Sequence, residues 1–158
     1  LKKSALVALG HIGTEYCIDA LSAGLADDDL RTAAIRGLGV SGRPEGITPI
    51  FGYLMKSSDA LLMKVAVDAL LEIGGPDVVV RLRNLSQVPD RADLRLLAMR
   101  AMGQLEFEGR EEVLQGGLED PDPAVVLESA LQLARLGDGA RTSSTSAWGT
   151  PISLRRRT

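Results

Sequence analysis

The sequence predicts an all-α fold of about four to five helix pairs stacked side by side. Segments that read Leu-x-x-x-Ala-x-x-Ala-Leu-Gly recur along the chain, and the alanines that anchor them are 29, 32, 32 and 32 residues apart. These alanines are Ala5, Ala34, Ala66, Ala98 and Ala130. Only 3% of the residues are aromatic, which suits closely packed helices better than a β-sandwich. A period of this length is typical of a solenoid, in which each unit buries its apolar face against its neighbours.

The first helix of each unit, called helix A, carries one apolar stripe. In the first unit Ala5, Ala8 and Ile12 recur at spacings of three and four, the period of one helix face. A glycine follows the stripe, and we expect it to end the helix in a left-handed conformation. These glycines are Gly10, Gly39 and Gly103, and further turn glycines stand at Gly13, Gly42, Gly74 and Gly109.

The second helix of each unit, called helix B, has a shorter apolar pattern. Ile18 and Leu21 mark it in the first unit, and Ile47 and Ile50 repeat it in the second. Pro49 lies about one turn into the second of these helices, so we expect that helix to begin late or to bend. Acidic or serine-rich turns separate the units, and an aspartate directly before a helix A is a favourable N-cap.

At these residues the chain resembles the HEAT repeat family, and most closely its short bacterial phycobilisome-lyase-like repeats, in which helix A reads Leu-Arg-x-x-Ala-x-x-Ala-Leu-Gly. The resemblance covers residues 1–137, in units of about 1–29, 30–61, 62–93, 94–125 and a partial unit 126–137. It implies a right-handed superhelix of antiparallel helix pairs, with the B helices lining the concave side. Residues 138–158 are expected to form an irregular tail.

Both ends of the repeat array leave alternatives open. The tail is rich in Ser, Thr and Arg, and its composition predicts flexibility. Docking of the tail through Trp148, Ile152 and Leu154 is the alternative. The first unit opens directly on an apolar helix A, whereas a solenoid end needs a polar outer face. We therefore expect either further repeats before it or a homodimer through this unit or the tail.

The charge distribution disfavours a nucleic-acid partner. Residues 138–158 hold four of the 18 basic residues and one of the 21 acidic ones, so residues 1–137 carry 14 against 20, a net charge of −6. Binding to a phosphate backbone needs a clustered basic face. No apolar run reaches the roughly 18 residues that cross a bilayer, so we expect no membrane partner and a cytoplasmic location.

The chemistry available to the chain argues against an enzyme. Cys17 lies among apolar residues and is expected to be a buried small hydrophobe. His11 is the one histidine and should lie at an exposed helix end, so a nucleophile would lack a base. One histidine also cannot supply the ligands of the iron-binding HEAT-like hydroxylases. The acidic runs lack the spacing of a calcium loop. We therefore expect no catalytic residue, no metal and no cofactor.

We interpret the chain as a non-enzymatic scaffold that binds a protein or peptide on the concave face of the B helices. The candidate contact residues are Phe51, Tyr53, Arg81 and Arg83, an aromatic and arginine patch suited to a peptide or an acidic partner. Alternatively, Tyr53 belongs to the core and both arginines are solvated. Two other functions stay open: a role like that of the bilin lyases, which the resemblance implies, and self-association of a fragment of a longer repeat protein.

Overall fold

The structure, a computed structural model, describes residues 2–145, with side chains described up to residue 138. Over this range it contains nine α-helices and no β-strand, which confirms the predicted all-α fold. The A helices are α1 (Lys2–Ile12), α3 (Arg31–Val40), α5 (Ala60–Ile73), α7 (Ala92–Met102) and α9 (Pro123–Thr145). The B helices are α2 (Glu15–Gly24), α4 (Ile47–Lys56), α6 (Pro76–Leu85) and α8 (Arg110–Gly116).

The helices stack in the order in which they occur along the chain. Helix α1 contacts α3, α3 contacts α5, α5 contacts α7 and α7 contacts α9, so the A helices form one continuous row. Each A helix except the last described one also contacts the B helix of its own unit, and α4 contacts α6 in the second layer. Contacts between successive units are the defining feature of a solenoid.

The core is aliphatic and continuous from the first unit to the last. Three of the anchoring alanines, Ala34, Ala66 and Ala98, are fully buried between successive units, each with 0% of its surface exposed. Ala5 is exposed, because it lies on the outer side of α1, the first helix that the structure describes. Burial of small side chains at fixed positions allows the neighbouring A helices to pack closely.

The glycines that follow the apolar stripes do not adopt the predicted left-handed conformation, and only Gly103 lies at the end of its helix. Gly10 and Gly39 lie within α1 and α3, and Gly103 is right-handed with a φ of −64°. They are small because neighbouring helices pass close to them: a Cβ on Gly39 would lie 2.8 Å from the Cα of Ala69. The residues with a positive φ are instead Asp90, at 59°, and the turn glycines Gly13, Gly42, Gly74, Gly75 and Gly109, at 62° to 85°.

The last unit is offset by one residue from the predicted alignment. Gly24 faces Ala34, and its equivalent Gly117 faces Ser129, not Ala130. The step from Ala98 to Ser129 is 31 residues, whereas the sequence pattern predicts 32. Ser129 is fully buried and Ala130 is exposed, so the assignment of Ala130 as the fifth anchor is wrong. The sequence pattern conceals this shift, because an alanine stands at the predicted position 130. Ser129 can fill the buried position instead, since serine and alanine are close in size.

The second B helix begins late, as Pro49 predicts. Pro44 and Pro76 are equivalent positions, 32 residues apart. Helix α6 begins at Pro76, whereas a 3-10 turn covers Pro44–Gly46 and α4 begins only at Ile47. Pro49 is then the third residue of α4, where its missing N–H removes no intrahelical hydrogen bond.

The last described helix extends beyond the predicted end of the repeats. Helix α9 continues to Thr145, so the first residues of the segment 138–158 are helical. Trp148, Ile152 and Leu154, proposed above as docking residues of the tail, lie outside the described residues. None of the described helices is both long and apolar enough to cross a membrane.

Candidate partner-binding surface on the B helices

Phe51 and Arg81 form a stacked pair across two neighbouring B helices. Phe51 lies on α4 and Arg81 on α6, and the guanidinium carbon of Arg81 is 5.0 Å from the centre of the Phe51 ring. Phe51 packs against the core and is half-buried. A guanidinium at this distance over an aromatic ring is in the range of a cation–π contact. The two helices thus present an aromatic ring and an arginine as one feature.

Val80 adds an apolar side chain to this surface. It is 57% exposed and lies one residue before Arg81 on α6. Both residues line an open depression of about 430 Å³ together with Pro44, Ile47, Thr48, Asp77 and Asn84. Val80 is not among the contact residues predicted from the sequence. The run Val78-Val79-Val80 contains the signal, because one face of a helix can bury only part of three consecutive valines.

Tyr53 lies apart from the stacked pair, although it is only two residues from Phe51. Residues two apart on a helix do not face the same side. The hydroxyl of Ser57 donates a hydrogen bond to Tyr53 Oη at 3.2 Å, and the guanidinium carbon of Arg31 is 5.5 Å from the Tyr53 ring centre. The ring is half-buried against the core, at the position that the buried Leu85 holds in the next unit.

Arg83 is exposed and lies closer to α8 than to α4. It lines a second depression, of about 390 Å³, between α6 and α8. Glu112 and Asp120 line the same depression, so Arg83 lies among carboxylates. The four candidate residues therefore do not form one cluster: Phe51 and Arg81 are in contact, and Tyr53 and Arg83 lie on either side of them.

Two carboxyls with a lowered pKa, Asp120 and Glu128, lie at the last seam between A helices, away from the stacked pair. Arg95 binds Asp120 with two hydrogen bonds of 2.8 and 3.0 Å and donates a third, of 3.0 Å, to the carbonyl of Val88. The hydrogen bonds from Arg95 lower the pKa of Asp120 below its usual value. Both side chains are about nine-tenths buried, with 10% and 8% exposed. Arg95 on α7 thus joins the segments that precede α7 and α9, and the pair serves the packing of the repeats.

Neither His11 nor Cys17 has the surroundings of a catalytic group. His11 is exposed in the last turn of α1, and Cys17 is buried with 7% of its surface exposed. The Thr14 hydroxyl donates a hydrogen bond to the Cys17 sulfur at 3.0 Å. Within residues 2–138, no three His, Cys, Asp or Glu side chains are grouped so that they could hold a metal ion.

Comparison with known proteins agrees with the repeat architecture. A family model described as HEAT repeats matches residues 18–103, which is more than half of the chain. A second model, described as a PBS lyase HEAT-like repeat, matches residues 1–27. No curated protein matches the sequence.

Proposed function

Because the chain belongs to the HEAT repeat family, whose members generally act as protein-interaction scaffolds, we propose that its B-helix surface around Phe51 and Arg81 binds a protein or peptide. The observation that carries the proposal is the contact of 5.0 Å between the Arg81 guanidinium and the Phe51 ring. Aromatic and arginine side chains dominate the energetics of protein interfaces. Here they are held together before a partner arrives, which lowers the entropy lost on binding.

The chemistry of this surface favours a partner segment with an acidic side chain next to an apolar one. Within the described part of the chain neither Arg81 nor Arg83 takes part in an ion pair. The exposed Val80 offers an apolar contact beside Arg81. A carboxylate of the partner would gain a charge-assisted hydrogen bond from the guanidinium, while its apolar neighbour would cover Val80 and the edge of Phe51.

The family is typically non-enzymatic, and the proposal assigns no catalytic step to the chain. Binding on the concave side of the solenoid and a cytoplasmic location stay predictions. Tyr53 and Arg83 also remain candidates for the edge of the surface, and single substitutions test each of them separately.

The test compares three forms of the protein in affinity capture followed by binding measurements with the captured partner. Phe51→Ala with Arg81→Glu should raise the dissociation constant at least about tenfold, or about 1.4 kcal/mol. The matched control is Tyr16→Ala with Arg36→Glu, which changes an exposed aromatic residue and an exposed arginine on α2 and α3 and should bind like the wild type.

Two further substitutions define the extent of the surface. Arg83→Glu should weaken binding less than Arg81→Glu, because Arg83 already lies among carboxylates. Tyr53→Phe removes only the hydrogen bond with Ser57 and should leave binding unchanged. Equal binding by the wild type and the Phe51/Arg81 double variant, with unchanged thermal unfolding, would rule out this surface.

The second candidate function is the handling of a bilin chromophore. The observation in its favour is the match of residues 1–27 to the PBS lyase HEAT-like repeat model. Titration of the protein with a free bilin should then shift the absorbance of the chromophore, because a bound tetrapyrrole changes its conformation and its solvent. An unchanged spectrum at saturating protein excludes this function and leaves the scaffold proposal intact.

A further inference from the structure

The outward side of α9 carries two exposed leucines at positions that hold an ion pair in α5. Leu127 is 72% exposed and Leu131 is 44% exposed. With the 31-residue step of the last unit, they correspond to Leu96 and Arg100 of α7 and to Lys64 and Asp68 of α5. In α5 these positions hold an exposed ion pair of 2.8 Å. The last described helix therefore replaces a solvated pair by an apolar one.

These leucines belong to a stripe that reads the same in both directions. Ala124, Leu127, Leu131 and Ala134 follow one another at spacings of three, four and three, and all four are exposed. This is the spacing with which two helices pack along a common seam. Helix α9 has 23 residues, against 10 to 14 in the other A helices, so it spans about 35 Å.

We propose that two copies of this protein associate through this stripe, with α9 of one copy antiparallel to α9 of the other. A two-fold interface must be complementary to itself, and a stripe in the order Ala, Leu, Leu, Ala meets that condition. Antiparallel pairing sets Leu127 against the partner's Leu131 and Ala124 against the partner's Ala134. The leucines then cover one another, and the alanines let the helix ends approach.

One pair of charges near the ends of the stripe favours the same orientation, although Asp138, four residues beyond Ala134, adds a carboxylate at one end. Asp122 directly precedes α9, and Arg135 directly follows Ala134. An antiparallel pair places Asp122 near the partner's Arg135 at both ends of the interface. A parallel pair would place Asp122 beside the partner's Asp122 and Arg135 beside the partner's Arg135. Like charges across an interface repel.

A further repeat stacked on α9 would cover Leu127 only in part and would leave Leu131 exposed. Lys64 and Asp68 occupy the equivalent positions of α5, which is packed by units on both sides, yet their side chains remain 58% and 51% exposed. Stacking by one more unit would leave Leu131 exposed, as Arg100 is in α7, and would leave Leu127 at most half-buried, as Leu96 is. A contact through one helix face lies at the small end of specific interfaces, so we expect a monomer–dimer equilibrium that depends on protein concentration.

The first experiment measures the mass of the full chain by sedimentation equilibrium up to about 1 mM, the weakest affinity of interest. The wild type should approach twice the monomer mass, and Leu127→Glu with Leu131→Glu should raise the dissociation constant at least about tenfold. Leu61→Glu is the matched control, since Leu61 is also 72% exposed but lies on α5, and it should dimerise like the wild type.

The second experiment tests the orientation by disulfide cross-linking. Proteins that carry Ala124→Cys or Ala134→Cys should not cross-link alone but should form a disulfide dimer when mixed. The wild type controls for Cys17, which is buried. A wild type that stays monomeric, a dimer that survives the double leucine substitution, a dimer that needs residues 146–158, or cross-links between like sites would each overturn the proposal.

Discussion

The first seam of the A-helix row, between α1 and α3, and the last seam, between α7 and α9, allow close helix packing with different residues. At the first seam Gly10 of α1 faces Gly37 of α3, and neither contributes a side chain. At the last seam Gly103 of α7 occupies the place of Gly10, and Gln132 of α9 occupies that of Gly37. Because the glycine on one side leaves room, the other side can carry a long polar side chain. The repeat therefore requires one small residue at this contact, and the second is free to vary.

This freedom brings charge into the last seam. The Gln132 amide donates a hydrogen bond of 2.6 Å to Glu128, and Arg100 donates one of 2.7 Å to the other carboxylate oxygen. Glu128 is only 7% exposed, so its charge is stabilised by these two donors rather than by water. An added side chain should therefore destabilise the first seam, whereas loss of a partner of a buried charge should destabilise the last.

The largest expected effect is at the last seam, from removal of a buried cation. Arg95→Met would leave Asp120 without its two hydrogen bonds from the guanidinium, although its side chain is only 8% exposed. Removing one partner of a buried ion pair leaves a charge that is neither solvated nor paired, so we expect a loss of about 3 kcal/mol. Urea denaturation followed by circular dichroism measures this change.

A surface ion pair supplies the control for Arg95. Lys64→Met removes one partner of the pair with Asp68, in which both side chains are more than half exposed. Exposed pairs contribute little, and we expect a change below about 0.5 kcal/mol. If the two substitutions had equal effects, burial of the Arg95–Asp120 pair would not be the cause of its importance.

The next effect is at the first seam, from an added side chain. A Cβ at Gly37 would lie 2.6 Å from Leu21 Cδ2 and 2.8 Å from the carbonyl oxygen of Leu6. Gly37→Val must therefore separate α1 from α3, and overpacking of this kind costs about 2 kcal/mol. Thermal unfolding should show a lower midpoint for this variant.

Gly52 is the matched glycine for this test. It lies in the interior of α4, and a Cβ there would meet no atom within 4 Å. Gly52→Ala should therefore stabilise the protein by about 0.5–1 kcal/mol, since alanine restricts the unfolded chain and favours a helix. A gain of stability in both variants would mean that helix propensity, rather than close approach, governs the glycines.

The two seams should also differ in their response to acid. The hydrogen bond from Arg100 is the main cause that lowers the pKa of Glu128, so this carboxylate stabilises the fold above its ordinary pKa. That stability is lost as the pH falls through about 4 towards the lower pKa of the folded state. Glu128→Gln and Arg100→Gln should each make the free energy of unfolding less dependent on pH between about 3 and 7. An unchanged slope in either variant would contradict this role.

The sequence predicts the row of helices and its buried alanines well, because these depend on a local period that the chain repeats. Ala34, Ala66 and Ala98 are buried as the period requires. The surface on the B helices is harder to predict. Phe51 and Arg81 are 30 residues apart, and their contact depends on the crossing of α4 over α6, which no local pattern specifies. The one-residue offset of Ser129 has the same origin, since the loop before α9 sets it.

The smallest expected effect restores the regular repeat at the last seam. Ser129 is fully buried at the position that Ala98 holds one unit earlier, and its hydroxyl donates a hydrogen bond of 2.8 Å to the carbonyl of Val125. That carbonyl also lies within the regular hydrogen-bonding pattern of α9. Removal of the serine hydroxyl therefore leaves no buried acceptor without a partner. Ser129→Ala should therefore change the free energy of unfolding by less than about 0.5 kcal/mol. Ala130→Ser, at an exposed position, is the control and should change the free energy of unfolding as little. A loss of 2 kcal/mol or more for Ser129→Ala, about the overpacking cost at Gly37, would contradict this prediction. It would show that the hydroxyl itself holds the last unit in its shifted alignment.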